Sequence, residues 1–191
     1  MNQALRKLFR KGPPTPAEID GFLADTTFPL VDERDVTFVY RGDVEAVYLR
    51  CWISGLDTAQ PFQPLTGTNL WAATIDLPKG SRIEYKFEVI ENGNRQLILD
   101  PLNDVKAHDP FGANSVCQGF GYVRPHWTFH KPESRVGSIV SHRLDSKSFK
   151  DARDVHVYLP SRFRKNRRYP LLVVHDGTDY LHFAELKAIL D

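Results

Sequence analysis

Cysteine is scarce in this chain, and neither sign of charge is in excess. The 191 residues include two cysteines, Cys51 and Cys117. Two cysteines outside any CxxC pair make no disulfide framework and allow at most one bridge. The formal net charge is +1, which leaves no global electrostatic reason to expect nucleic acid or an anionic membrane as partner. No apolar run approaches the length of a membrane-spanning helix. The opening segment MNQALRKLFRKG is basic but lacks the apolar stretch of a secretion signal. Internal repeats and low-complexity tracts are missing. These absences lead to the expectation of a soluble, cytoplasmic chain with reduced thiols.

What is present is a hydrophobic share of 41% with 12% aromatics, together with 13 prolines and 12 glycines. That composition supports a buried core punctuated by many turns. Residues 1–34 read as a lead-in. Thr15-Pro16-Ala17-Glu18 fits a helix start, with Thr15 as N-cap, Pro16 at the first helical position and Glu18 closing a capping box. Gly21 and Pro29 are expected to keep that helix short.

From Val36 the hydrophobic period becomes two. Val36 to Tyr40 reads as a strand, followed by a turn at Arg41-Gly42-Asp43. In Ala46 to Ile53, residues Val47, Leu49, Cys51 and Ile53 share one face, and Tyr48, Arg50 and Trp52 the other. Leu70 to Leu77 is a further strand. In Arg82 to Val89, Ile83, Tyr85, Phe87 and Val89 point inward and four charged residues alternate outward. Asn92-Gly93 signals a hairpin, and Gln96 to Leu99 forms the return strand. Short strands at this spacing indicate a β-sandwich over residues 35–120.

Residues 121–135 have linker composition. The strand pattern then restarts at Val136 to Leu144 and Asp154 to Leu159. Leu171-Leu172-Val173-Val174 does not alternate, which predicts a strand buried on both faces. After His175-Asp176-Gly177-Thr178 comes a predicted helix over Asp179 to Leu190 with a broad apolar side. Strand, sharp polar turn and helix begin an α/β architecture, cut short at residue 191 because 136–191 offers too few elements to bury the apolar strand.

With both halves in view, the sequence resembles the enterochelin (ferric enterobactin) esterase family. The stretches that carry the likeness are VTFVYRGD at 36–43, GTNLW at 67–71, RIEYKF at 82–87, LDPLN at 99–103 and DPFGANSV at 109–116. Downstream they are DVHVYLP at 154–160 and YPLLVVHDG at 169–177. The resemblance implies an all-β immunoglobulin-like (E-set) sandwich over 35–120, then the first strands and helix of an incomplete α/β-hydrolase domain over 136–191. It implies a serine carboxylic ester hydrolase acting on a small-molecule ester such as a ferric siderophore. Iron would then belong to the substrate; no cofactor or protein metal site is implied. Such enzymes need a serine on a Gly-x-Ser-x-Gly turn, then an acid and a histidine. No serine of this chain has glycine at both −2 and +2, so no triad residue is assigned and the family's triad is expected downstream.

The candidate residues that remain serve other purposes. Backbone N–H groups of Asp176, Gly177 and Thr178 are candidates for an oxyanion hole; the plain reading is a turn with Thr178 or Asp179 capping the helix. Five basic residues lie between Ser161 and Arg168, of which Arg164, Arg167 and Arg168 are candidates for drawing in an anionic substrate. The plain reading there is a solvated loop. Trp52 is a candidate for an interface or a ligand. Trp52 and Trp71 together suggest the alternative of a carbohydrate-binding sandwich attached to a vestigial hydrolase segment, although Trp71 shares its face with Ala73 and Ile75, which favours the core. His126 and His130 have i,i+4 spacing, but Pro125 and the intervening aromatics argue against a helical metal site. His156 reads as a polar-face strand residue. Oligomeric state leaves no mark in the sequence.

Overall fold

In the computed structural model, which describes residues 2–53, 55–129 and 135–191, the chain begins with two helices. Helix α1 (Gln3–Leu8) is capped by the Asn2 side chain, which accepts from Ala4 N–H at 2.8 Å. The sequence reading did not anticipate this helix. Helix α2 (Pro16–Asp25) starts with the expected capping box: Thr15 Oγ1 accepts from Glu18 N–H, and Glu18 Oε2 accepts from Thr15 N–H at 2.8 Å. The Thr15 backbone N–H, and after it the Thr15 hydroxyl donating to the same Oε2 at 2.9 Å, hold the Glu18 carboxyl below its ordinary pKa. The helix is short, as expected, ending at Asp25 between Gly21 and Pro29, with Gly21 inside it. Interior glycine costs about 1 kcal/mol relative to alanine. Packing of Ile19, Phe22 and Leu23 outweighs that cost, with Phe22 edge-on to Phe28 at 5.8 Å.

Among the described residues of the first compact unit, Met1–Val123, ten strands follow. They are β1 (Leu30–Asp32), β2 (Asp35–Arg41), β3 (Ala46–Cys51), β4 (Ala59–Pro61), β5 (Gln63–Pro64), β6 (Leu70–Asp76), β7 (Arg82–Glu91), β8 (Asn94–Ile98), β9 (Lys106–Asp109) and β10 (Gly112–Gln118). One antiparallel sheet has the order β1-β2-β6-β5. The other runs β4-β3-β7-β10-β9, with β8 also paired to β7. The edge strands β4 and β5 are short and carry Pro61 and Pro64, which suits edges, since proline cannot donate to a further strand. Turn residues set the β7–β8 register: Asn92 (φ 50°) and Gly93 (φ 72°) both adopt the left-handed conformation between Glu91 and its partner Asn94. That is the two-residue hairpin geometry Asn-Gly favours.

The two sheets share one core. Val36, Phe38, Ala73 and Ile75 from the first sheet meet Val47, Leu49, Cys51, Tyr85, Phe87, Val89 and Cys117 from the second. The ring of Phe87 stands edge-on to Phe38, Tyr40 and Phe62 and lies tilted beside Tyr85. Such pairs add about 0.5–1.5 kcal/mol beyond burial. The inward residues of β3 and β7 are those the alternation predicts, with Ile83 only partly buried; β3 ends at Cys51, and Ile53 beyond it is also partly buried against the core. Strand β2 is buried on both faces because Leu5, Ile19, Phe28 and Leu30 cover Val39 and Leu70 on its outer side. Outward-pointing Glu88 is also buried, held by Arg95 at 2.9 Å and Arg50 at 3.3 Å. The two cysteines are both free and buried. They sit on β3 and β10, which flank β7 on opposite edges. Two interstrand spacings separate them by roughly 10 Å, too far for a bridge.

The second unit, Arg124–Asp191, contains a one-turn 3₁₀ segment at His126–Thr128, a hairpin of β11 (Ser138–Ser146) and β12 (Asp151–Leu159), and helices α3 (Gly177–Phe183) and α4 (Leu186–Leu190). The hairpin is fully paired over nine residues a side. Val140, Leu144, Val155, Val157 and Leu159 share one face; Ser141, Arg143, Asp154 and His156 share the other. Helix α4 is tied to the hairpin through Asp191. Its Oδ1 accepts from Gly137 N–H at 2.7 Å and Tyr158 O–H at 3.0 Å, and Oδ2 pairs with Lys187 at 2.7 Å.

Two expectations for this unit are corrected. Leu171 to Val174 joins no strand, and Leu171, Leu172 and Val173 are 88%, 67% and 70% exposed. The single helix expected over 179–190 is split at Ala184 and Glu185, the latter at φ 50°. Both have one cause. Apolar periodicity produces a buried strand or a long amphipathic helix only where a layer exists to receive it. None of the described residues of this unit is buried.

Candidate functional site

The turn after the apolar run places the predicted oxyanion residues together. Asp176 is the N-cap of α3 in left-handed geometry (φ 53°, ψ 36°), and its carbonyl accepts from Asp179 N–H at 2.9 Å and Tyr180 N–H at 3.2 Å. Its carboxylate makes no capping bond. The plain alternative, a cap from Thr178 or Asp179, is therefore not what forms. Gly177 has open space where a Cβ would stand. Gly177 and Thr178 N–H groups occupy the first helical turn, where amides lack an intrahelical acceptor. Adjacent His175 is exposed and forms no relay with Asp176.

The basic loop has internal order. Arg162 is left-handed at φ 61°, and Phe163 N–H donates to Pro160 O at 3.0 Å. Arg164 N–H donates to the Tyr169 hydroxyl at 3.0 Å, and Arg167 N–H to Arg164 O at 3.1 Å. Phe163 and Tyr169 stack with centroids 5.1 Å apart at 29°, and the Arg167 guanidinium lies 5.6 Å from the Tyr169 centroid. Arg162, Arg164, Lys165, Arg167 and Arg168 are all exposed.

Trp52 follows β3 and is 76% exposed, whereas Trp71 on β6 is partly buried against the core and donates Nε1–H to Gly42 O at 3.1 Å. The two indoles belong to different sheets, and the second is committed to packing. They do not build the two-tryptophan platform that a sugar would stack on. His126 lies exposed in the 3₁₀ turn, and His130 lies outside the described residues. No group of three His, Cys, Asp or Glu among the described residues is placed to hold a metal ion.

Two polar constellations escaped the sequence reading. Ser141 Oγ and His156 Nδ1 lie 2.8 Å apart, directly opposite across the hairpin. Ser141 sits on a flat strand rather than a sharp turn, and Asp154, on the same face, pairs with Arg143 instead, so the pair lacks the orienting acid and oxyanion donors of a nucleophilic site. The other is buried. Tyr85 O–H donates to Asp100 Oδ2 at 2.7 Å, and Asn103 Nδ2–H donates to the Tyr85 oxygen at 2.9 Å and to Val116 O at 2.8 Å. Asp100 N–H donates to Ser115 Oγ at 2.9 Å. Burial raises the Asp100 pKa, and burial with the neighbouring Asp100 carboxylate raises that of the Tyr85 hydroxyl far above the ordinary phenol. This network braces the turn at 100–103 and has no opening to a substrate.

Comparisons with known proteins bear on both units. Residues 146–191 match a family model described as "Putative esterase". No curated protein matches the chain. Ferric enterobactin esterase from Salmonella typhimurium superposes with a TM-score of 0.70 at 18% identity, covering 90% of this chain and 53% of that one. The enterobactin esterase from Shigella flexneri, solved in the presence of enterobactin, gives 0.62 at 20% identity, covering 90% and 52%. The same enzyme with 2,3-dihydroxy-N-benzoyl-serine gives 0.54 at 20%, covering 82% and 46%. The chain thus spans about half the length of the structures it matches. Among the described residues no helix is long and apolar enough to cross a membrane. Over most of its length the chain therefore has the fold of these two structures, and its residues 146–191 fit the esterase family model.

Proposed function

We propose that this chain is the N-terminal portion of a serine carboxylic ester hydrolase. In this reading the two-sheet unit is an immunoglobulin-like module and residues 124–191 are the opening part of an α/β-hydrolase domain. The observation that carries it is the esterase-family match over 146–191, a segment that contains the Asp176-Gly177-Thr178 turn. In the expected reaction an activated serine attacks the ester carbonyl, an acyl-enzyme forms, and water releases the acid. No serine here has the required glycine context, so none of the residues of this chain is assigned to the triad. What the chain supplies is positional. In this reading the first-turn amides at Gly177 and Thr178 stabilise charge developing on the carbonyl oxygen, and the Asp176 backbone fixes where that turn begins. Arg164, Arg167 and Arg168 attract an anionic ester, of which a ferric siderophore is one kind. Trp52 offers an exposed indole to a ligand or a partner surface. The working compartment proposed is the cytoplasm, where two buried free thiols need no oxidising environment.

The test is labelling with a serine-directed fluorophosphonate together with hydrolysis of an activated aryl ester. The polypeptide translated from the complete reading frame is expected to label and hydrolyse. Failure of both in folded protein overturns the esterase reading. A glycan-binding role for the sandwich has one exposed tryptophan in its favour; retardation of the chain on immobilised glycogen, lost in Trp52→Ala, is the outcome that role requires.

A further inference from the structure

Charge is divided unevenly along the chain. Residues 1–123 hold 12 Lys and Arg against 16 Asp and Glu, a net of −4; residues 124–191 hold 13 against 8, a net of +5. The excess is concentrated. From Val155 to His175 there is no Asp or Glu, and five of the cations fall within Arg162 to Arg168. None of the five forms an ion pair among the described residues. Holding like charges this close is unfavourable unless a scaffold fixes the backbone or an anion neutralises them.

The scaffold is visible. The Phe163–Tyr169 stack closes the loop at its base, and the Tyr169 hydroxyl takes the Arg164 amide. Arg164 to Arg167 is a tight turn closed by the Arg167 N–H to Arg164 O bond at 3.1 Å. Arg167 is laid against the Tyr169 ring. Three cations therefore ride on a single turn, with Arg162 and Arg168 flanking it, all exposed. Backbone and aromatic contacts, rather than carboxylates, keep them together.

We propose that the loop from Pro160 to Tyr169 is a preorganised clasp for a small, multiply charged anion with closely spaced oxygens. Arginine forks and a lysine suit such a group by charge-assisted hydrogen bonds, and fixing the loop beforehand lowers the ordering cost on binding. The inference deepens the reading of this loop as the part that draws in an anionic ester. Its test is direct binding, which separates it from that reading: a clasp that binds in a protein whose complete form hydrolyses no ester stands while the esterase proposal falls.

The probe is inorganic tripolyphosphate, titrated into the whole chain by calorimetry and by amide NMR. One saturable site is expected, with shifts confined to 160–169 and affinity falling as salt screens the contacts. Arg164→Ala/Arg167→Ala/Arg168→Ala, which keeps the stack, is expected to lose at least roughly ten-fold in affinity. Tyr169→Ala keeps every cation and removes the scaffold; with β11–β12 resonances unchanged, it is expected to lose roughly five-fold. No saturable binding overturns the proposal, as do shifts spread over cations throughout the chain. Unchanged affinity in Tyr169→Ala also overturns it, because the loop is then a charge cloud and not a clasp.

Discussion

Tyr85 gives its hydroxyl hydrogen to a carboxylate, Asp100, that is only 3% exposed. Removing that hydroxyl leaves Asp100 and the Asn103 amide each short of a partner inside the core. Tyr85→Phe is therefore expected to lower the stability of the first unit by about 1–3 kcal/mol, read as a drop in urea midpoint at constant slope. A Tyr48→Phe control, on the outer face, should move little. Asp100 also carries a pH signature. Its folded pKa is raised, chiefly by burial, above the ordinary carboxylate value. The stability associated with this group is thus complete below the unfolded pKa and declines as pH rises through the folded one. Relative to Asp100→Asn, the parent chain should lose stability on raising the pH from the ordinary carboxylate range upward; parallel pH profiles would refute this. Burial pushes the Cys117 thiol up to about 12, and burial raises Cys51 as well. Neither should react with a disulfide reagent in the native state, and both should react in denaturant. The inward position of Tyr85 was legible from strand alternation. Its partners were not, because Asp100 and Asn103 lie 15 and 18 residues away on a turn whose course no local pattern specifies.

Elements with their own local signals came through best. The capping box of α2, the Asn92-Gly93 hairpin and the alternating strands β3 and β7 follow from chemistry within a few residues of each position. Helix α1, capped by Asn2, was missed because a six-residue helix is too short to show a period. In the second unit the strands β11 and β12 were legible, whereas the apolar run at 171–174 and the long helix at 179–190 were not realised. Their periodicity reports a demand for burial, and the described residues 124–191 contain no buried residue to meet it. At the site, the turn at Asp176-Gly177-Thr178 and the basic loop were read from the sequence. The Phe163–Tyr169 stack that orders the loop depends on a fold-back, and the sequence carries no period that marks one. Unequal burial has a consequence for local stability. Amides of β7 and β10 should exchange at a rate set by global unfolding of their unit, while those of β11 and β12 exchange far faster in the native state. Equal protection of the two sets, measured by hydrogen exchange, would contradict this picture.

For the molecule as a whole, the first unit has a closed core and the second has motifs without one. The sandwich is braced on its outer face by α1 and α2 and internally by the Tyr85–Asp100–Asn103 network. The second unit holds a turn at Asp176-Gly177-Thr178 and a cationic loop, which in the proposed function are accessories to ester chemistry rather than its reacting groups. The most direct test of the proposed function compares two proteins on one activated aryl ester: residues 1–191, and the full translation product of the reading frame. The account predicts hydrolysis and serine labelling by the full product, and none by residues 1–191. Hydrolysis by residues 1–191 that survives purification and disappears on a point substitution within them would contradict it, as would a folded full product that neither labels nor hydrolyses.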